Sequence, residues 1–312
     1  MTSSGDKYSV LLERCSRLAP VPTAVAHPCD VSSLTGALDA ASLGLIVPLL
    51  IGPEARIRAV AEEANRPLDG ITVIDAAHSH DSAARAVLAV RAGEAELLMK
   101  GSLHTDELLH EVAAAATGLR TERRLSHVFA MDVPSYHKAL FITDAAVNIF
   151  PKLADKAYIV RNAIELVHAL GIDKPKVAIL AAVETVSDKM PSTIDAAALC
   201  KMADRGQITG AVLDGPLAFD NAINKEAAQI KGIVSDVAGD PDILLVPDLE
   251  AGNMLAKQLT FLAGAEAAGI VLGARVPIIL TSRADTVRSR IGSCAIAVLV
   301  AHARRARKTS LA

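Results

Sequence analysis

The chain has 312 residues, of which 51% are apolar and only 3% aromatic, and carries a formal net charge of −3. That length accommodates two domains or one large α/β unit, and a core of Ala, Val, Leu and Ile suits sheets covered by Ala-rich helices. The mild acidity excludes a general electrostatic attraction to nucleic acid or anionic membrane, and no apolar run approaches the roughly 20 residues of a spanning helix.

A short helix within residues 1–19 precedes a first strand over 21–27, ending near His27. There follow a helix from the capping Asp30 to Ala41, a strand from Leu45 to Gly52, a helix from Glu54 to Ala64 and a strand from Ile71 to Ile74. A helix from Ser79 to Arg91 is closed by Gly93. This alternation implies βαβ crossovers and hence a parallel, doubly wound sheet. Leu97 to Met99 continue it as a strand, and the turn from Lys100 to Asp106 enters the next helix. Lys100, Gly101 and Ser102 offer an ammonium, a close backbone approach and a hydroxyl beside helix N–H groups, all suited to an anion. The competing reading makes Ser102 or Thr105 a helix cap. The GxxxxGK[ST] spacing is absent, which rejects a nucleoside-triphosphate loop.

An arginine-bearing connection, Gly118 to Arg124, leads to two strands, His127–Val133 and Ala139–Thr143. After them Asp144 and Asn148 are polar residues in an apolar context at a strand end, facing a ligand crevice or, for Asp144, capping a helix. An amphipathic helix spans Pro151–Gly171, with a domain change placed near residue 147. The alternation resumes with a strand at Val177–Leu180, a helix at Ser192–Ala203 and a strand at Ala211–Leu213. Asp214, Gly215 and Pro216 then form a turn, and Asp220 caps the following helix. The strand Ile243–Val246 runs into PDLEAGN, where Asp248, Glu250 and Asn253 crowd a turn loosened by Gly252. Two acids without a third ligand are thin evidence for a metal.

Residues 269–275 contain small, flexible positions before Val276–Leu280, a strand expected to be buried on both faces of a parallel sheet. Thr281, Ser282, Arg283, Ala284 and Asp285 follow it. An arginine there matches the oxygens of phosphate or carboxylate two at a time. The competing reading has Ser282 or Asp285 capping a last helix that ends at His302. Four such polar turns sit at carboxyl ends of strands, where open α/β sheets bind their ligands. Cys15, Cys29, Cys200 and Cys294 lie far apart without metal-ligand spacing, as expected of buried thiols in a reduced, cytoplasmic chain.

In order along the chain, MKGSLHTDELL, FITDAAVNIFP, DGPLAFDNAI, VPDLEAGNMLAKQL and PIILTSRAD resemble the phosphate acetyltransferase and phosphate butyryltransferase family. The likeness is in particular to the phosphotransacylase half of proteins that join it to an enoyl-CoA hydratase domain. The resemblance implies reversible transfer of a short acyl group, acetyl or butyryl, between CoA and inorganic phosphate. It implies two doubly wound α/β domains flanking a cleft, as in isocitrate and isopropylmalate dehydrogenases, and a homodimer made largely by the second domain. The first domain is expected over 1–146 plus 283–312 and the second over 147–282.

By the same resemblance Ser282 and Arg283 line the active site. Acetyl-specific members carry an aspartate seven residues after that serine, where this chain has Ser289, so Asp285 is the nearby acid. Lys100, Gly101, Ser102, Thr105, Asp144, Asn148, Asp214, Glu250 and Asn253 complete the expected substrate-binding set. Acyl-CoA and phosphate are the expected partners, with CoA a substrate, no tightly bound cofactor and no metal. Two alternatives stay open: a non-catalytic acyl-CoA-binding paralogue, and a metal- and nicotinamide-dependent decarboxylating dehydrogenase of the same fold. The latter needs three convergent carboxylates.

Overall fold

The computed structural model describes residues 7–281 and 285–311, and the chain divides into two compact units, Met1–Arg123 with Ala268–Ala312, and Arg124–Ala267. In the first unit β1 (Val21–Ala26) pairs in parallel with β2 (Ile46–Gly52) and with β4 (Leu97–Lys100), and β2 pairs in parallel with β3 (Thr72–Asp75). Val21, Ala24, Val25, Leu97, Leu98 and Met99 are fully buried, as near-continuous apolar strands covered on both faces must be. Burying each Leu or Val of this set contributes roughly 1.5–3 kcal/mol.

The strand expected over Val276–Leu280 is reduced to β11 (Ile278–Ile279). Both residues are fully buried, as expected, but β11 runs parallel to β4 and antiparallel to β10 (Glu266–Leu272). The sheet is therefore mixed rather than parallel throughout. Pro277 has no N–H to donate, so the regular ladder starts after it, and its carbonyl accepts from Leu98 N at 3.2 Å. β10 itself overlaps the stretch 269–275 expected to be a flexible lead-in. Its small Ala267, Ala268 and Gly269 carry no strand signal of their own, while Ile270, Val271 and Leu272 are buried by pairing.

In the second unit β5 (Ser126–Asp132) is antiparallel to β6 (Leu140–Thr143). β6 is parallel to β9 (Ile243–Leu245), β9 to β7 (Lys176–Leu180), and β7 to β8 (Val212–Leu217). Because β5 and β6 hydrogen-bond into this sheet, the division falls after Arg123 rather than near residue 147. Because β10 pairs with β11, the return falls at Ala268 rather than 283.

Two helices show the capping chemistry expected of them. Asp30 accepts from Ser33 N to cap α2 (Val31–Ser42), and Gly93 closes α4 (Ser79–Ala92) in the left-handed conformation. Other positions differ. His104, not Ser102 or Thr105, occupies the N-cap of α5 (Thr105–Ala113). Asp214, Gly215 and Pro216 lie inside β8 rather than in a turn, and a Cβ on Gly215 would come within 2.7 Å of Ile179 O. Asp220 belongs to the first turn of α8 (Phe219–Ile223), whose N-cap is Ala218. Asp144 caps no helix, since α6 (Leu153–Ala169) begins nine residues later. The last helix, α11 (Val287–Leu311), runs past His302. Among the described residues no helix is long and apolar enough to cross a membrane.

Candidate functional site

In the first unit, register decides what meets at the carboxyl ends of the strands. Ala26 lies opposite both Ile51 and Lys100, and Met99 lies opposite Ile279, so β1, β2, β4 and β11 end side by side. Lys100 is the last residue of β4 and only 6% exposed. Its Nζ lies 3.3 Å from Gly101 O and 3.4 Å from Thr281 O, so two strand-end carbonyls help to place the ammonium. Burial of a cation is costly without such acceptors.

Gly101 follows because nothing larger fits. A Cβ there would stand 2.4 Å from Ala26 O and 2.5 Å from His27 O, while Gly101 N donates to Ala26 O at 2.8 Å. Ser102 then ties the turn to β1: its N–H and its Oγ both donate to His27 O at 2.9 Å, and Cys29 N donates to the same Oγ at 3.3 Å. Thr105 is half-buried in the first turn of α5.

Asp285 is half-buried just before α11, and Thr286 accepts from Ser289 N at 3.1 Å. Ser289, where acetyl-specific members carry an aspartate, is thus buried in the opening of the helix and shares a second contact with the Thr286 hydroxyl at 3.1 Å. Ser282 and Arg283 lie outside the described residues.

In the second unit, Thr143, Leu245 and Ile179 share a register line, so β6, β9 and β7 also end together. Asp144 is 2% exposed and accepts from the N–H groups of Ala146 and Val147 at 3.0 Å, from Asn148 N at 3.2 Å and from Asn148 Nδ2. Burial pushes its carboxyl above the ordinary carboxylate range, opposed by these donors. Asn148 also donates to Leu125 O at 2.8 Å and accepts from Arg124 Nε. Arg124 in turn pairs with Asp155 at 3.0 Å.

The start of α10 (Leu249–Leu262) packs against this loop: Asn253 Nδ2 donates to Ala145 O at 3.3 Å, and a Cβ on Gly252 would stand 2.9 Å from Asp144 O. Asp248 caps α10 by accepting from Ala251 N, and Glu250 is exposed in its first turn. Asp214 does not join this group. It sits in mid-strand opposite Ala178, with Oδ1 accepting from Gly215 N at 2.8 Å.

Two residues at these strand ends escaped the sequence reading as site residues. Arg124 is the cation that orients Asn148, and only its place in an arginine-bearing connection signalled it. His27 holds a left-handed backbone (φ +56°) directly after β1, with Nδ1 3.0 Å from Ser82 Oγ. Burial, then the Arg56 guanidinium, lowers its pKa from the ordinary histidine value. Burial raises the thiols of Cys15 and Cys29 to about 11 and those of Cys200 and Cys294 to about 12, so all four remain protonated near neutrality. Among the described residues no three His, Cys, Asp or Glu side chains converge as a metal site.

Comparison with known proteins bears on both halves of this geometry. The family model described as phosphate acetyl/butaryl transferase matches residues 77–298. A phosphate acetyltransferase of Rhizobium meliloti is 65% identical over 300 residues, covering 96% of this chain and 95% of the relative. A phosphate butyryltransferase of Clostridium beijerinckii is 42% identical, covering 93% and 97%. Among solved structures, a branched-chain phosphotransacylase from Enterococcus faecalis is 30% identical with a TM-score of 0.79, covering 90% of this chain and 99% of its own. With the family model matched over residues 77–298 and relatives similar over nearly the whole length, the chain belongs to the phosphate acetyl/butaryl transferase family.

Proposed function

We propose that this protein is an acyltransferase that reversibly transfers a short acyl group, acetyl or butyryl, between CoA and inorganic phosphate. The observation that carries this reading is 65% identity to a phosphate acetyltransferase over 96% of the chain. In the direction acyl-CoA plus hydrogen phosphate, a phosphate oxygen attacks the thioester carbonyl, the C–S bond breaks, and CoA leaves with its sulfur protonated. The site must hold a dianion against the acyl carbon and stabilise the oxyanion that forms between them. Arg283 clamps the phosphate through its planar fork, and Ser282 donates to the carbonyl oxygen. Asp285 takes the proton that hydrogen phosphate loses.

Lys100 adds a buried ammonium to the phosphate subsite, with Gly101, Ser102 and Thr105 shaping the turn beside it. Asp144, Asn148, Glu250 and Asn253 form the substrate-facing wall of the second unit, and Asp214, in mid-strand of β8, stands apart from them. CoA enters and leaves as a substrate, and the chemistry needs no metal or tightly bound cofactor. The same reading includes two doubly wound α/β domains, a homodimer formed largely through the second unit, and a cytoplasmic location.

The test is a thiol-release assay across acetyl-, propionyl-, butyryl- and longer CoA thioesters, with and without phosphate. Release that requires phosphate is the expected result, and the thioester with the highest kcat/KM identifies the acyl group. Binding without release would make the chain a non-catalytic paralogue. Neither binding nor release would remove the acyltransferase reading.

Lys100→Met, which keeps the stem and removes the charge, is expected to raise the KM for phosphate about tenfold with a smaller change in kcat. That is the loss of about one charge-assisted hydrogen bond, roughly 1.4 kcal/mol. Initial rates against phosphate concentration measure it, and an unchanged KM removes Lys100 from the phosphate subsite.

A further inference from the structure

Phosphate transfer leaves one proton without a named handler, the one on the CoA sulfur. A free thiol has a pKa near 8.5, so at neutral pH it must be deprotonated to attack and reprotonated to leave. The four cysteines are buried and protonated, Ser289 is engaged at the head of α11, and Asp285 is committed to phosphate. His27 stands at the end of β1, one residue beyond Ala26, the register partner of Lys100. Its carbonyl accepts Ser102 N–H and Oγ and Cys29 N–H, the last at 2.8 Å, which fixes the backbone from which the imidazole projects.

The ring is oriented as well. Ser82 Oγ donates to His78 O at 2.8 Å, so toward His27 that hydroxyl presents a lone pair. His27 Nδ1, 3.0 Å away, therefore carries the proton that Ser82 accepts, and Nε2 is left as a lone-pair acceptor. Among the described residues Nε2 has no hydrogen-bond partner, and the side chain is only half-buried. A base whose far nitrogen is held by a third group is the arrangement that activates nucleophiles in general.

The left-handed backbone is uncommon for a histidine and is a conformation that concentrates at functional sites. The charged or titratable groups around it are Arg56 of α3 (Glu54–Glu63), Asp30 at the cap of α2, His78 at the cap of α4 and Glu107 of α5. Burial and Arg56 keep the ring neutral against the pull of the two carboxylates.

We propose that His27 is the catalytic acid/base for the CoA sulfur, an assignment that rests on the acyltransferase reading above. In the direction acyl phosphate plus CoA, the S–H proton passes to Nε2 and the sulfur electron pair forms the C–S bond. The acyl C–O bond breaks with its pair on the phosphate oxygen. Asp285 gives that oxygen its proton, and the imidazolium returns its own to the carboxylate through solvent. The net transfer is one proton from thiol to phosphate. In the reverse direction the same imidazolium protonates the departing thiolate.

The experiment uses the full chain with acetyl phosphate or butyryl phosphate and CoA, following thioester formation against pH. Wild type should show kcat/KM for CoA holding through the ordinary histidine range and falling only at more acid pH, where the depressed pKa of His27 is reached and the ring becomes protonated. His27→Asn keeps a residue that tolerates the left-handed backbone and offers Ser82 an N–H in place of Nδ1, but lacks Nε2. It is expected to lose about a hundredfold in kcat/KM and to lose that acid limb.

His27→Gly, for which the positive φ costs nothing, leaves a space that added imidazole fills, and its rate should rise with the concentration of neutral imidazole. A His27→Asn variant that retains the acid limb, or stays within fivefold of wild type, overturns the proposal. So does a lowered Tm with an unchanged pH profile, which is what a purely structural histidine gives. A wild type that forms no thioester from either acyl phosphate overturns both the proposal and the acyltransferase reading. An active wild type beside an unaffected variant overturns the proposal alone.

Discussion

Arg283→Ala is expected to lower kcat/KM by a hundredfold or more with no change in Tm, a loss of about 3 kcal/mol in transition-state binding. Phosphate attack concentrates negative charge on the oxygens around phosphorus and on the carbonyl oxygen together. A guanidinium answers it with two parallel donors in a fixed plane. Although Arg283 lies outside the described residues, the chain enters its segment from Thr281, whose carbonyl is 3.4 Å from Lys100 Nζ.

Arg283→Lys should recover little, because a point charge on a flexible stem does not reproduce the fork. The comparison separates geometry from net charge: full recovery by lysine would reduce Arg283 to a counter-charge. Wild-type turnover in folded Arg283→Ala would remove it from the mechanism. Steady-state kinetics in both directions, with circular dichroism to confirm folding, distinguish these outcomes.

What was legible in the chain was what local chemistry writes. The turn at Lys100, Gly101 and Ser102 was visible because strand, glycine and hydroxyl are adjacent, and the glycine is obligatory because a Cβ there would stand 2.4 Å from Ala26 O of the neighbouring β1. Helices α2 and α4 announced themselves through Asp30 and Gly93. Features made by distant partners were not legible. His27 gains its tautomer from Ser82, 55 residues on, and Arg124 gains its partner from Asn148, 24 residues on. β10 is a strand because β11 turns back along it, and nothing in Glu266–Gly269 carries the period or the β-branching that would announce one. The run at Val276–Leu280 erred the other way. Its apolar content correctly forecast burial on both faces, but burial does not set pairing direction, and Pro277 shortened the ladder.

Asp144→Ala is expected to destabilise the protein by about 3 kcal/mol in mildly acidic solution, with the difference from wild type narrowing as the pH rises. The carboxyl organises residues 144–148: three backbone N–H groups and the Asn148 amide point at its two oxygens, in a site 2% exposed. Alanine strands those donors away from water, and each buried donor left unpaired costs about 1–3 kcal/mol, partly recovered by relaxation of the loop. The pH dependence follows from the sign of the shift. Burial raises the folded-state pKa of Asp144 above its unfolded value near 3.9, despite the opposing donors.

In that window the folded state binds more protons than the unfolded state, so the contribution of Asp144 is fully present below pH 3.9 and is lost as the pH climbs through the folded pKa. Alanine has no such dependence. Urea unfolding of both proteins at several pH values between 4 and 8 measures the difference directly. A gap that widened with pH would mean that the donors, not burial, dominate and that the pKa of the carboxyl is depressed. Loss of the loop also removes the acceptor that holds Arg124, since Asn148 is placed by Asp144. Asp144→Ala should therefore lower activity even under conditions in which it remains folded.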